Sequence, residues 1–220
     1  MKKLLIYVCV ILVIFCTLPI RISAVSPNSQ KRIVLTFDDG PHPKQTRQIL
    51  DFLDKYQIKA TFFVIGVNVR EYPDVLREVL DRGHEIGNHT NTHSHAARLD
   101  SMTLEQQILD CEREIFLQSG ASVKLFRPPE GALNDYMRTI IRDLGYTNVL
   151  WNLDTLDWAH TPPEQIAEYV ISNAKNGDII LMHDYIGSDS PTLQALELFV
   201  PELLEQGFSF ITVGELLALK

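Results

Sequence analysis

Beyond Lys31 the chain alternates about seven times between short apolar runs rich in β-formers and longer stretches of helical period, with no gap long enough for a second linker. The runs Ile33–Asp38, Ala60–Ile65, Glu85–Asn88, Leu125–Arg127, Thr147–Leu153, Ile179–His183 and Phe208–Ile211 predict strands. Lys44–Tyr56, Tyr72–Arg82, Thr103–Ser119, Asp135–Leu144, Pro163–Ala174 and Thr192–Glu205 predict helices, with a last one at Val213–Leu219. Such alternation favours a parallel sheet with crossover helices, an α/β fold, and about seven units in one domain favour a barrel over an open sheet. Gly83 and Gly145 follow helical stretches as left-handed caps, and Thr103 with Gln106 has the spacing of a capping box.

At 220 residues, with 45% hydrophobic and 22% charged side chains, the chain is expected to be one folded domain, which excludes wholesale disorder and a multi-span membrane protein. Residues 1–24 read as an export segment: Lys2 and Lys3, an apolar run from Leu4 to Ile20, then Arg-Ile-Ser-Ala. It is expected to be a cleaved signal peptide or a retained N-terminal membrane anchor, with residues 25–31 a polar linker and 32–219 the domain. The expected location is outside the cytoplasm, secreted or on the outer face of the membrane. After Ala24, 17 cationic side chains face 28 acidic ones, a net −11, with no cluster of Lys and Arg, so nucleic acid is not an expected partner. Cys9 and Cys16 fall in the export segment, leaving Cys111 without a disulfide partner in the same domain, as a buried apolar filler. The chain is expected to be a monomer.

In a barrel, side chains at the carboxyl ends of the strands converge on one face, and the unusual polar residues of this chain gather there. Asp38-Asp39 ends the first predicted strand before a Gly-Pro turn. Consecutive side chains on extended backbone diverge, so one carboxylate can hold a metal while the other handles a proton. His89 and His93 are four apart, a spacing that one helical turn would bring together, and His95 is an alternative to His93. Two imidazoles and a carboxylate make a facial ligand set for a divalent ion. Arg127 ends the fourth strand ahead of two prolines and suits a forked ion pair with Asp38. Trp151, Asp154, Asp157, Trp158, Leu181 and His183 complete the ring, and a histidine next to a carboxylate makes a proton donor near neutral pH. His42, His84 and His160 have no comparable setting and read as surface residues.

These runs, Thr36-Phe37-Asp38-Asp39-Gly40-Pro41, His89 with His93, Arg127 to Gly131, Asp154 to Trp158 and Leu181 to His183, resemble in order the five motifs of the polysaccharide deacetylases with the NodB homology domain, carbohydrate esterase family 4. The resemblance covers roughly Lys31 to Leu217. It implies a distorted (β/α)7 barrel and metal-dependent removal of acetyl groups from sugars. It implies Asp38 as catalytic base, Asp39, His89 and His93 as metal ligands, and His183 as catalytic acid. Arg127 then orients the base, Asp157 tunes the acid, and Trp151 and Leu181 wall the pocket for the acetyl methyl group. The implied metal is zinc, with cobalt or another divalent ion as alternatives. The expected activity is N-deacetylation of amino sugars in a cell-wall glycan, peptidoglycan or chitin-like oligomers. O-deacetylation, as of acetylated xylan, and a catalytically inactive carbohydrate-binding protein are the alternatives. Where many relatives have Tyr after the two prolines this chain has Glu130, expected to turn away from a developing oxyanion and meet a substrate hydroxyl or amino group.

Overall fold

The computed structural model describes residues 31–94 and 100–219. The export segment, all of the linker but Lys31, and His95 lie outside the described residues. Eight strands, β1 (Lys31–Asp38), β2 (Thr61–Val64), β3 (Glu85–Asn88), β4 (Leu125–Phe126), β5 (Thr147–Asn148), β6 (Leu153–Asp154), β7 (Asp178–His183) and β8 (Phe208–Phe210), form one sheet among the described residues. Every pairing is parallel, in the order β5-β4-β3-β2-β1-β7-β6. β8 pairs with the first residues of β1, Lys31–Ile33, on the edge that β2 takes over from Thr36. The helices are α1 (Gln45–Lys55), α2 (Gly66–Glu71), α3 (Pro73–Asp81), α4 (Ser101–Ser119), α5 (Asp135–Asp143), α6 (Pro163–Asn173), α7 (Thr192–Glu205) and α8 (Val213–Leu217). The sheet curls into a half-barrel with helices outside, the distorted (β/α)7 architecture in a single domain.

The predicted strand Thr147–Leu153 is two short ladders. Val149 still donates to Phe126 on the β4 side at 2.9 Å, whereas Asn152 donates to Ile179 on the β7 side at 3.1 Å. This segment changes partner as it crosses from one end of the sheet to the other, so it bends where a straight strand was expected. Thr103 is not an N-cap either. Asp100 caps α4, accepting from Thr103 N at 2.8 Å, and the helix starts two residues earlier. Gly83 and Gly145 do adopt the left-handed conformation, with φ of 77° and 76°. α2 has no counterpart among the predicted helices, because six residues are too few to show a helical period.

β1 and β2 are buried on both faces, as central parallel strands must be, and their period of two separates two cores. Ile33, Leu35 and Phe37 face the helices and pack with Leu50, Leu53, Phe199 and Leu203. Val34 faces the barrel interior with Phe63, Leu125, Val149, Val213 and Leu216. Each such buried side chain contributes about 1.5–3 kcal/mol. α8 closes the end where the strands start, through Val213 N to Thr61 Oγ1 and Gly214 N to Glu85 Oε2. The same alternation that points Val34 inward points Thr36 and Asp38 inward, toward the opposite, carboxyl end.

His84, expected on the surface, is buried. Its Nδ1 accepts from Ala60 N at 3.2 Å, its ring stands edge-on to Phe62, and burial pushes its pKa down to about 4, so it is a neutral core histidine. Cys111 is buried and free, its thiol pushed up to about 12 by burial. No helix among the described residues is long and apolar enough to cross a membrane.

Candidate active site

Asp38 ends β1 beside His183, its register partner at the end of β7. Arg127, at the end of β4, is fully buried and holds Asp38 Oδ1 at 2.7 Å through a terminal guanidinium nitrogen, which also donates to Thr36 Oγ1 at 2.8 Å. Its Nε donates to Val149 O, and the guanidinium lies over the rings of Phe63 and Trp151, 4.1 and 5.5 Å from their centroids. Burial pulls the Arg127 pKa below its ordinary value and the Asp38 carboxylate opposes that pull. A buried cation this well packed holds its partner in one orientation.

Asp39, next in sequence, adopts φ 78°, outside the strand conformation, which turns its side chain toward His89 and His93. Asp39 Oδ1 lies 3.5 Å from His89 Nε2 and 3.2 Å from His93 Nε2. The two histidines are not on a helical turn. They sit in an irregular loop after β3, folded back by left-handed residues at Thr90 and His93, φ 69° and 53°. The rings nevertheless come within 5.0 Å, centroid to centroid. His89 Nδ1 is 2.7 Å from Arg127 O, and a carbonyl only accepts, so the ring proton is on Nδ1 and a lone pair remains on Nε2. Burial lowers the His89 pKa, against the nearby Asp38 and Asp39, and keeps the ring neutral.

These contacts test whether the residues fit a metal. Asp39 Oδ1 is buried and accepts no hydrogen bond, although two imidazole nitrogens face it. The three ligand atoms lie within 4.8 Å of one another. Electron pairs gathered this closely repel one another until a cation lies among them, and an oxygen with two imidazole nitrogens is a donor set for zinc or a similar divalent ion. The residues fit the group.

His183 Nδ1 lies 2.8 Å from Asp157 Oδ1, and Asp157 is fully buried in a 3₁₀ turn after β6. The carboxylate is held by Trp158 N, His183 N and Thr192 Oγ1, at 2.9, 2.8 and 2.7 Å. Burial works against a charged His183. The hydrogen bond and charge of Asp157, with Asp38 and Asp39 beyond, outweigh it and raise the pKa to about 9. With Nδ1–H committed to Asp157, Nε2 is left to face a reacting group.

A cleft of about 500 Å³ is lined by Asp38, Asp39, His89, His93 and His183, with Trp151, Leu181, Glu130, Asp154 and Trp158 as walls. The structure thus brings together all the predicted site residues: Arg127 and Asp157 stand directly behind, each bonded to a lining side chain. Glu130 is exposed, with φ 60°, in a tight turn whose next residue, Gly131, has φ 64° and packs against Trp151. Trp158 is 52% exposed at the rim, its indole N–H donating to Asp154 at 3.3 Å.

Thr36, Thr192 and a buried pair behind the first motif join the site only in the folded structure. Thr46 Oγ1 donates to Asp184 Oδ2 at 2.6 Å, and Asp184 N donates to Asp38 O at 3.1 Å. Asp184 adjoins His183 but points the other way, as strand alternation dictates, so the carboxylate that tunes His183 is the distant Asp157. Asp184 is buried and its pKa is raised to about 7, by burial first, against the Thr46 hydrogen bond. A Cβ on Gly40 would overlap the Asp184 carboxylate. Gly40→Ala is therefore expected to destabilise the fold by about 3 kcal/mol, seen as a melting temperature lower by roughly 6–12 °C; an unchanged melting temperature would show that Asp184 moves aside freely.

Comparison with known proteins agrees with this geometry. The polysaccharide deacetylase family model matches residues 26–149. A peptidoglycan-N-acetylglucosamine deacetylase of Bacillus cereus is 45% identical over 196 residues, covering 88% of this chain and 92% of that protein. The peptidoglycan-N-acetylmuramic acid deacetylase PdaC of Bacillus subtilis is 39% identical over 192 residues, and the chain spans only 40% of its length. The solved structure of PdaC superposes with a TM-score of 0.80 at 39% identity, covering 87% of this chain and 92% of that one. Five motifs folded into one cleft, a family match over more than half of the residues and full-length similarity to a curated relative lead to one conclusion: the chain belongs to the polysaccharide deacetylases, a family of hydrolases.

Proposed function

We propose that this chain is a metal-dependent N-deacetylase acting on N-acetylated sugars of peptidoglycan outside the cytoplasm, with residues 1–24 as export signal or anchor. The observation that carries the reading is the pairing of Asp38 with His183 across β1 and β7, each held by a buried partner of opposite charge, beside the donor set Asp39, His89 and His93. A base and an acid on either side of one cation site is what amide hydrolysis needs, because water must lose a proton and the amine must gain one. Asp39, His89 and His93 would hold the ion, zinc in this proposal. When bound, the ion acts as a Lewis acid that polarises a carbonyl oxygen and acidifies water.

The chain's own residues perform the proton work. Asp38, oriented by Arg127, accepts a proton from the attacking water as its oxygen bonds to the acetyl carbon. His183, charged through Asp157, gives its Nε2 proton to the sugar nitrogen as the C–N bond breaks, releasing acetate and a free amine. Trp151 and Leu181 wall the cleft on an apolar side, suited to the acetyl methyl. Glu130, at the rim, meets a substrate hydroxyl or amino group.

The reading is tested by incubating the purified chain with zinc and with peptidoglycan, N-acetylglucosamine oligomers or acetylated xylan, then measuring amine and acetate. Equal amounts of both from peptidoglycan are expected. Acetate without new amine would select O-deacetylation, and neither product on any substrate would leave a binding protein. The ligand set has its own test. His93→Ala is expected to keep the fold, because the side chain is a third exposed, and to weaken zinc binding roughly 10- to 100-fold by titration. Unchanged affinity would move the third ligand elsewhere, with His95 the first candidate.

A further inference from the structure

We propose that His42, Tyr185 and Tyr72 form a second sugar subsite, a stacking platform for a pyranose ring of the same glycan strand, next to the one being deacetylated. The inference rests on the glycan reading above and extends it along the polymer. The imidazole of His42 and the phenol of Tyr185 are stacked, 4.3 Å between centroids and 12° between planes, and Tyr72 meets His42 edge-on at 6.2 Å and 67°. Tyr185 is 41% exposed. One of its faces is covered by His42, so the exposure falls on the other face and the edge. A rigid ring with one face backed by a second ring and the other open to water suits a flat partner with an apolar face and a polar edge, which describes a pyranose.

The platform stands close to the catalytic cleft, on loops that also carry cleft residues. His42 is three residues beyond Asp39 on the loop after β1, and Tyr185 is two beyond His183 on the loop after β7. At about 3.8 Å per residue, the Tyr185 Cα is at most about 7.6 Å from that of His183, within one or two sugar units of the reacting bond. Tyr72 arrives from the junction of α2 and α3, and α2 is tied to the same loop by Asn68 Nδ2 donating to Asp39 O at 2.8 Å. Trp158 lies on the opposite flank, in the turn after β6, beyond β7. A glycan crossing the mouth would thus run from one aromatic flank to the other.

The rings are held in place before any ligand arrives. His42 Nδ1 accepts from Gln45 N at 3.2 Å, which fixes the ring plane and leaves the proton on Nε2 to donate to a sugar hydroxyl. His42 N donates to Thr46 Oγ1 at 2.7 Å, and Gln45 Nε2 donates to Gly187 O, lacing the two loops together. The Tyr72 hydroxyl donates to Glu71 at 2.7 Å. Side chains already ordered lose little entropy on binding.

The test uses the full chain with N-acetylglucosamine dimer and pentamer, following acetate release, together with calorimetric titration of the pentamer. Tyr185→Ala is expected to lower the ratio of kcat/KM for pentamer over dimer roughly 3- to 10-fold and to raise the pentamer Kd by a similar factor. Tyr185→Phe, which keeps the ring and drops the hydroxyl, is expected to retain both. Tyr72→Ala is expected to move both in the direction of Tyr185→Ala, so a Tyr185→Ala chain that failed to fold would still leave a decisive variant. A pentamer-to-dimer ratio and Kd equal to wild type in the alanine variants would overturn the platform, as would a Phe variant as impaired as Ala. A wild-type chain that releases no acetate but loses pentamer binding with Tyr185→Ala would overturn the deacetylase reading and leave the platform standing.

Discussion

We expect Asp38→Asn to lower kcat about a thousandfold while the chain still binds one zinc ion. Asn has nearly the shape of Asp and can accept the Arg127 bond at Oδ1, but it has no basic lone pair with which to take the proton of an attacking water. Asp39, His89 and His93 are untouched, so metal affinity is expected to stay within a few-fold of wild type. The fold itself is expected to weaken. Arg127 is fully buried, and without its counter-charge it keeps only neutral partners: the substituted amide oxygen, Thr36, the Val149 and Leu150 carbonyls and the faces of Phe63 and Trp151. Leaving a buried charge in that state costs about 3 kcal/mol, so acetate release must be measured well below the lowered melting temperature. His89→Ala is expected to lose both zinc and activity, because it removes a ligand. Wild-type turnover in Asp38→Asn would place the base elsewhere, and loss of zinc along with turnover would make Asp38 a ligand.

How far the sequence could be read follows the range of the forces involved. Ile33–Asp38 was legible as a strand because a buried parallel strand is a continuous apolar run, and its two-residue period already assigned Asp38 to the interior. The site residues were legible because chemistry-bearing side chains at strand ends stand out against apolar runs. The pairing of Arg127 with Asp38 across 89 positions of sequence followed from barrel logic. Long-range geometry was not legible where backbone conformation departs from strand or helix. The left-handed turns at Asp39, Thr90 and His93 bring the candidate donor set together, yet none of these residues is a glycine that would have announced them. The helical spacing of His89 and His93 pointed to two rings that do meet, but through an irregular loop and not a helical turn.

Partners contributed by small polar residues were also hidden. Thr46, Thr36 and Thr192 are common surface types, and only the folded structure shows their hydroxyls turned inward to Asp184, Arg127 and Asp157. The change of partner between Val149 and Asn152 depends on where the half-barrel runs out of neighbours, which no local pattern encodes. His84 was misread because a histidine can be buried as a neutral hydrogen-bond acceptor, at the cost of its pKa.

Asp157→Asn separates the acid from the base by pH. In the wild-type chain His183 is charged up to about pH 9, so it can donate a proton throughout the neutral range, and kcat/KM is expected to fall only as pH rises through that value. The substituted amide would keep a hydrogen-bond acceptor for Nδ1–H and lose the negative charge. Burial would then be opposed mainly by Asp38 and Asp39, and the His183 pKa is expected to drop toward or below its ordinary 6.5. The alkaline limb should move down by roughly two and a half units, from about 9 to about 6.5, and the rate at pH 8 should fall about thirtyfold. Stability carries the same signature. A histidine whose folded pKa exceeds its unfolded one contributes stability that is complete below about pH 6.5 and is lost as pH rises through about 9. The melting temperature of wild type relative to Asp157→Asn should therefore decline across that window. A variant that is merely misfolded would lose activity equally at every pH, and a pH-rate profile whose alkaline limb stays in place would show that His183 takes its charge from some other partner.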